Sequence, residues 1–168
     1  MAPALNRLWA PWRMEYIRTT GRPAPCFLCA LPKKKQDRDN LIVFRGRTGF
    51  VILNRFPYNN GHILVAPYAH KAELEDLDEA ETLELMRLAV RAKQALTAEL
   101  HPQGFNLGVN LGRAAGAGLP GHVHLHLVPR WNGDTNFMPV IGDTKVLPLT
   151  LRQTWDFLSK RMMRGKGR

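Results

Sequence analysis

Hydrophobic and polar positions along the chain sort into a short series of elements. LIVF at 41–44 is a compact apolar run, FVILN at 50–54 follows Gly49, and HILVAP at 62–67 follows the turn-rich PYNNG. The Asn60-Gly61 pair is a strong turn signal, so the three runs predict an antiparallel meander. The period then changes. Asp78 with Glu81 three residues later resembles a capping box. Leu83, Met86 and Val90, with Leu85, Leu88, Ala92 and Leu96, predict a long helix with a broad apolar face. His101-Pro102 ends it, because a residue before proline is pushed out of the helical region.

Two further strands are expected. FNLGVNLG alternates Phe105, Leu107 and Val109 with small or polar residues, and HVHLHLVP alternates throughout 122–129. Between them RAAGAGLPG is too glycine-rich to form an ordered element by itself. A last helix over about 151–163 is predicted by Leu151, Trp155, Leu158 and Met162, with Thr150 as N-cap. Residues 1–25 are expected to form an irregular arm that docks Trp9 and Trp12 on the body or on a second subunit, and 32–39 a charged loop. The pattern as a whole predicts an α+β protein with a mostly antiparallel sheet.

A chain of 168 residues, 45% hydrophobic and 23% charged, can bury a substantial core. No apolar run is long enough to cross a bilayer, and Pro3, Pro11 and Arg13 interrupt the N-terminus where a secretory signal would need a continuous apolar stretch. A cytoplasmic location with no membrane partner is therefore expected. The net charge of +10 resides largely in RMMRGKGR and PKKKQDR. It serves either as a solvated surface or as an attractant for phosphate, and charge alone does not separate the two. The basic residues do not alternate with aromatics, and no nucleic-acid-binding signature is visible, so no specific nucleic-acid partner is expected.

The chemistry concentrates in GHVHLHLVPRW. His122, His124 and His126 alternate with aliphatic residues, so an extended backbone projects all three imidazoles from one face. Three stacked imidazoles would need three sets of partners inside a core, which argues against simple burial. A metal site or a polar surface remains possible beside catalysis or phosphate binding. A neutral imidazole is available as a nucleophile near physiological pH. Its attack on phosphorus gives a phosphoramidate, splitting one hard displacement into two easier ones. The glycines at 112, 116, 118 and 121 let backbone amides approach a phosphate. Cys26 and Cys29, spaced C-x-x-C, read as a metal half-site or a redox pair.

H-V-H-L-H-L-V resembles the signature of the histidine-triad (HIT) family, His-φ-His-φ-His-φ-φ with φ hydrophobic. NRFPYNNGHILVAPYAH and GVNLGRAAGAGLPGHVHLHLVPRW extend the likeness. LWAPWRMEYI and PRWNGDTNFMPVIG resemble the bacterial branch associated with diadenosine tetraphosphate cleavage. The resemblance implies one HIT domain over 1–168, with the arm at 1–25 and a basic tail at 164–168. It implies a five-stranded sheet with one long and one C-terminal helix, and a homodimer in which two sheets join.

The same resemblance implies that His124 attacks the α-phosphate, that His126 and His62 contact phosphates or assist the leaving group, and that His122 orders the site from behind. His62, taken alone, reads equally well as a satisfied strand-start histidine. Asn54 resembles a ribose contact, Asn110 a phosphate-side contact and Gly118 a source of a backbone amide; Ile52 and Phe44 are candidates for the base pocket. In zinc-containing relatives the ligands correspond to Cys26, Cys29, His70 and His122, a closed structural site, against a metal-free thiol pair. No organic cofactor is implied. The expected activity is cleavage of a dinucleoside polyphosphate, with water or orthophosphate as acceptor. The alternatives are a nucleoside phosphoramidate hydrolase, or a non-catalytic nucleotide- or zinc-dependent binding protein.

Overall fold

The structure, a computed structural model, describes residues 25–135, 138 and 146–164. The expectations for the Trp9–Trp12 arm, for most of the basic tail and for part of NFMPVIG lie outside the described residues.

The described chain begins with a short helix α1 (Phe27–Ala30), continued by a single tight turn over Leu31–Lys33. That turn takes up the start of the expected charged loop. Strands β1 (Ile42–Arg45), β2 (Gly49–Leu53) and β3 (Ile63–Pro67) follow as a meander. Helix α2 spans Glu79–Leu100, then come β4 (Gly104–Val109), β5 (Leu125–Arg130) and helix α3 (Leu151–Arg164). The strands lie in the order β1-β2-β3-β5-β4, and each neighbouring pair is antiparallel. The last strand in sequence is thus held on both sides, between β3 and the edge strand β4.

The ends of α2 obey local chemistry. Asp78 accepts a hydrogen bond from the Glu81 amide at 2.7 Å, and Glu81 accepts one from the Asp78 amide at 3.0 Å. Two donors that the first helical turn would leave unpaired are thereby satisfied. At the other end His101 takes a left-handed conformation, φ 47°, and closes the helix before Pro102. Thr150 caps α3 by accepting from the Gln153 amide at 3.2 Å. Trp155 fixes that helix to the sheet edge by donating to the Ile42 carbonyl at 2.7 Å.

Directly paired residues of an antiparallel sheet share a face. The registers therefore put Val51, Val65 and Leu125 on one face, with Leu53, Ile63 and Leu127. This is the face α2 covers: a Cβ on Gly49 would sit 3.0 Å from Leu85 Cδ2. The opposite face carries Ile52, Leu64 and His126 in one line, ending on Gly108.

Three expectations need correction. The strand bearing the histidines starts at Leu125, not at 122. The residues before it bond elsewhere, the Val123 amide to the Lys71 carbonyl at 2.7 Å and the His122 amide to Leu119 at 3.3 Å. The strand FNLGVNLG starts at Gly104 and stops at Val109, as Asn110 turns into the glycine loop. The apolar face of α2 is two faces. Leu85, Leu88, Ala92 and Leu96 are buried, with Ala89 and Ala95, whereas Leu83, Met86 and Val90 form an exposed stripe. Helical spacing puts 83, 86 and 90 well over a quarter-turn from the buried side, and the flat sheet covers only one side.

Gly61 ends the turn before His62 with φ +76°, and a Cβ there would lie 2.9 Å from Leu96 Cδ2 and 3.0 Å from Leu100 Cδ1. Gly61→Ala should destabilise the fold by about 1–2 kcal/mol from the left-handed backbone alone, with more from displacing the core leucines. Urea unfolding measures this, and an unchanged midpoint would contradict the packing described.

Candidate functional site

Three histidines, His62, His124 and His126, meet on the face of the sheet opposite α2, and their hydrogen bonds assign a proton to each ring. The Tyr58 amide donates to His62 Nδ1 at 3.1 Å. Asn54 Oδ1 accepts from the Phe56 amide at 3.0 Å, which turns Asn54 Nδ2 toward His62 Nδ1 at 3.2 Å as a second donor. His62 Nδ1 is thus an acceptor and its proton sits on Nε2. That N–H donates to His126 Nδ1 at 3.0 Å, so His126 carries its proton on Nε2. His126 Nε2 is buried and has no partner among the described residues.

His124 is set the other way round. Its Nδ1 lies 2.7 Å from the His122 carbonyl oxygen, which can only accept. The proton is on Nδ1, and Nε2 keeps its lone pair. The rings of His124 and His126 lie 4.9 Å apart. A lone pair on one and an orphaned N–H on the other stand side by side.

Burial keeps these rings neutral. It lowers the His62 pKa to about 3, helped by repulsion from His126 and His124, and lowers that of His126 to about 4, helped by His124. Burial also lowers His124 and outweighs the opposing bond to the His122 carbonyl. The expectation that three histidines in line could not be buried is corrected for two of them: His122 and His124 are buried with partners, whereas His126 is partly exposed and its Nε2 has no partner among the described residues. His62 and His122 are almost fully enclosed and His124 nearly so. Each of these three finds partners on β3, its flanking turns or its own backbone.

His122 faces away from this group. Its Nε2 donates to the buried Pro67 carbonyl at 3.0 Å, leaving the Nδ1 lone pair 3.2 Å from Cys26 Sγ and 3.4 Å from Cys29 Sγ. His70 Nδ1 lies 3.3 Å from Cys29 Sγ. The four ligand atoms of Cys26, Cys29, His70 and His122 all fall within 4.8 Å of one another. Two sulfurs and two nitrogens at such separations suit the corners of a tetrahedron around a metal bonded at roughly 2.0–2.3 Å.

The remaining expected site residues divide. Ile52 is in line with His126 through Leu64. Asn54 touches His62, as described. Asn110 borders a cavity of about 390 Å³ beside His126, and Gly118 lies half-buried in the loop between β4 and β5. Phe44 is separated from them. A register shift between Ile42 and Phe44 pairs Phe44 with Val51, on the α2 face, where the Arg91 guanidinium lies 4.2 Å from its ring centre. Phe44 and Ile52 are on opposite sides of the sheet, so Phe44 does not share a base pocket with Ile52.

Sequence reading did not single out Tyr58, Asn106 or Asp134, which also line the cavity. Tyr58 was legible only as part of a turn. Its ring packs 4.5 Å from that of His62 and 5.9 Å from that of His126.

Comparison with known proteins agrees with this geometry. The family model of the HIT domain matches residues 35–133. The AP-4-A phosphorylase of Mycobacterium tuberculosis is 41% identical over 169 residues, covering 95% of this chain and 86% of that protein. Among solved structures, a Zn-bound histidine triad family protein from Mycobacterium smegmatis superposes with a TM-score of 0.65 at 24% identity, over 83% of this chain and 94% of the other. A hypothetical histidine triad nucleotide-binding protein from Sulfolobus tokodaii gives 0.66 at 23% identity, over 83% and 93%. These two share the fold.

The neutral rings predict a pH dependence of stability. An unfolded chain protonates its histidines near pH 6.5, whereas folded His62 and His126 resist until about 3 and about 4. Below pH ~6.5 the unfolded state binds more protons, so stability present above that pH drains away as pH falls toward 4. Denaturant midpoints should drop across this window, and less steeply in His62→Gln. A flat profile would count against a buried, neutral pair.

Proposed function

The chain belongs to the HIT domain family, and from that premise we propose that it cleaves dinucleoside polyphosphates by transferring a nucleotidyl group to His124. The observation that supports this is the opposed proton placement on adjacent rings, a lone pair on His124 Nε2 beside an N–H on His126 Nε2 that has no partner among the described residues.

In this reading His124 Nε2 attacks the α-phosphorus and the bond to the bridging oxygen breaks. The nucleoside polyphosphate beyond that oxygen leaves. His126 N–H donates a hydrogen bond to phosphate oxygen as charge builds, and His62 holds His126 in the donating tautomer. Such a donor is pre-set in a water-poor site, where its effect on developing charge is largest. The positive charge gained by the His124 ring is relieved by its Nδ1–H bond to the His122 carbonyl. An acceptor then attacks the phosphoramidate from the same side, and His124 is released.

The M. tuberculosis relative is a phosphorylase, which favours orthophosphate as acceptor. Diadenosine tetraphosphate would then yield ATP in the first step and ADP in the second. Water as acceptor would yield AMP instead of ADP.

Cys26, Cys29, His70 and His122 would hold a structural zinc ion. When bound, the ion supplies a closed four-ligand anchor with no open position for substrate. Its role is to fix His122, whose carbonyl holds the nucleophile. The thiol pair suits a reducing compartment, consistent with a cytoplasmic protein. A homodimer would form along β4, an edge strand whose exposed Leu107 shares the α2 side of the sheet with the exposed Leu83, Met86 and Val90.

His124→Ala should lower turnover of diadenosine tetraphosphate by roughly a thousandfold or more while circular dichroism stays unchanged. Alkaline quenching of a single turnover, which preserves the acid-labile P–N bond, should trap adenylate on the wild-type protein only, and products analysed with and without orthophosphate identify the acceptor. Near-normal rates in the variant would remove His124 as nucleophile. Elemental analysis should find about one zinc per chain. Chelation or Cys29→Ser should lower the melting temperature; a metal-free protein indifferent to chelators would refute the metal site.

A further inference from the structure

The line Ile52–Leu64–His126 does not stop at the histidine. It continues to Gly108 on the edge strand β4. Beyond His126 on that side opens the cavity of about 390 Å³. With His124 Nε2 at the α-phosphorus, a phosphate chain that leaves across His126 toward the edge strand has its far end above Gly108.

The lining of this cavity is polar but closed in charge. Arg130 is spent on Asp134, with Nε–Oδ2 and Nη2–Oδ1 contacts of 2.6 and 2.9 Å. The same arginine, mainly through these hydrogen bonds, holds the Asp134 carboxyl well below the usual carboxylate range. A carboxylate that stays ionised beside the cavity disfavours a polyanion there. What remains is neutral. Arg130 Nη1 donates to Asn106 Oδ1 at 2.8 Å, which leaves the Asn106 Nδ2 group as a donor. Asn110 adds a second carboxamide at the rim.

Tyr58, with half of its surface exposed, forms the aromatic wall and stacks nearly parallel to His126, at 12°. Gly108 forms an open floor, since a Cβ there would meet nothing within 4 Å. An aromatic face, paired carboxamides and no free charge are what a purine or similar heterocycle on a ribose requires. Carboxamides pair with the edge of adenine, and stacking of a base on an aromatic ring is worth roughly 1–3 kcal/mol.

We propose that this cavity binds the nucleoside on the leaving side of the substrate, so that the protein selects two-ended nucleotides over one-ended ones. The proposal rests on the assignment of His124 and His126 given above. Tyr58 stacks the second base, the amides of Asn106 and Asn110 meet its edge or its sugar, and the missing side chain at Gly108 gives it room.

The test compares kcat/KM for diadenosine tetraphosphate with that for the p-nitrophenyl ester of AMP, whose leaving group carries no nucleoside. In Gly108→Val a β-branched side chain, well suited to a strand, fills the floor. The ratio of the two kcat/KM values should fall about tenfold or more, chiefly through KM for the dinucleotide, as expected for loss of one stacked base. Asn106→Leu should move the ratio the same way, and decides the matter if the valine variant fails to fold. An unchanged ratio in a folded variant overturns the proposal, as does wild-type protein that cleaves the ester without preferring the dinucleotide; both leave the histidine chemistry standing. Wild-type protein that cleaves neither substrate sinks the histidine assignment and the subsite with it.

Discussion

One hydrogen bond organises the molecule around its chemistry: the 2.7 Å contact from His124 Nδ1 to the carbonyl of His122. It decides which ring nitrogen keeps a lone pair, and it ties that lone pair to the backbone of a residue whose side chain is engaged elsewhere. The His122 ring is gripped by the Pro67 carbonyl on one side and faces two cysteines on the other. Rotation of the His124 ring would break a buried bond and strand its N–H, a cost of about 1–3 kcal/mol. The Cys–His cluster and His124, the proposed nucleophile, are therefore joined through a single residue, His122.

The second constraint is electrostatic. A chain of net charge +10 could have placed cations at a phosphate site. Here the centre consists of imidazoles kept neutral by burial and by one another. Neutrality preserves the His124 Nε2 lone pair, since protonated imidazole has none to offer. In the proposed mechanism it also leaves phosphate binding to directed N–H groups. The His126 Nε2–H is buried with no partner among the described residues, a donor that a phosphate oxygen would satisfy in the proposed mechanism.

Alternation made much of this legible. Asp78 three residues before Glu81 and Asn60-Gly61 between apolar runs each carry a local rule and are found as read; of the histidines two apart, only His126 lies on the strand itself, while His124 joins its ring from just before the strand. What stayed hidden depends on register or on distant partners. The irregularity in β1 sends Phe44 to the helix side, and no local feature of LIVFR announces it. His122 obeys the alternation in sequence but lies outside the strand, because Val123 pairs with Lys71 and the preceding ring is drawn toward Cys26. The α2 stripe of Leu83, Met86 and Val90 looked like core because sequence shows apolar spacing without showing how many sides are covered. Tyr58 gains its role through a backbone amide, which every residue type possesses and which sequence therefore cannot mark.

The strand order explains why the site has two unlike ends. β5 is inserted between β3 and β4, so its residues meet a covered sheet on one side and a free-edged strand on the other. Toward β3 the neighbours are Leu64 and Ile52, both buried and apolar. Toward β4 they are Asn106, Gly108 and Asn110, small or polar and more exposed. Asn106 and Gly108 are exposed on the histidine face of the described chain, so they are not required to fill a core. A substrate whose two ends are chemically the same would thus meet two different environments. Under the proposed mechanism the end of the substrate seated toward β4 would be the one released, with no asymmetry needed in the substrate itself.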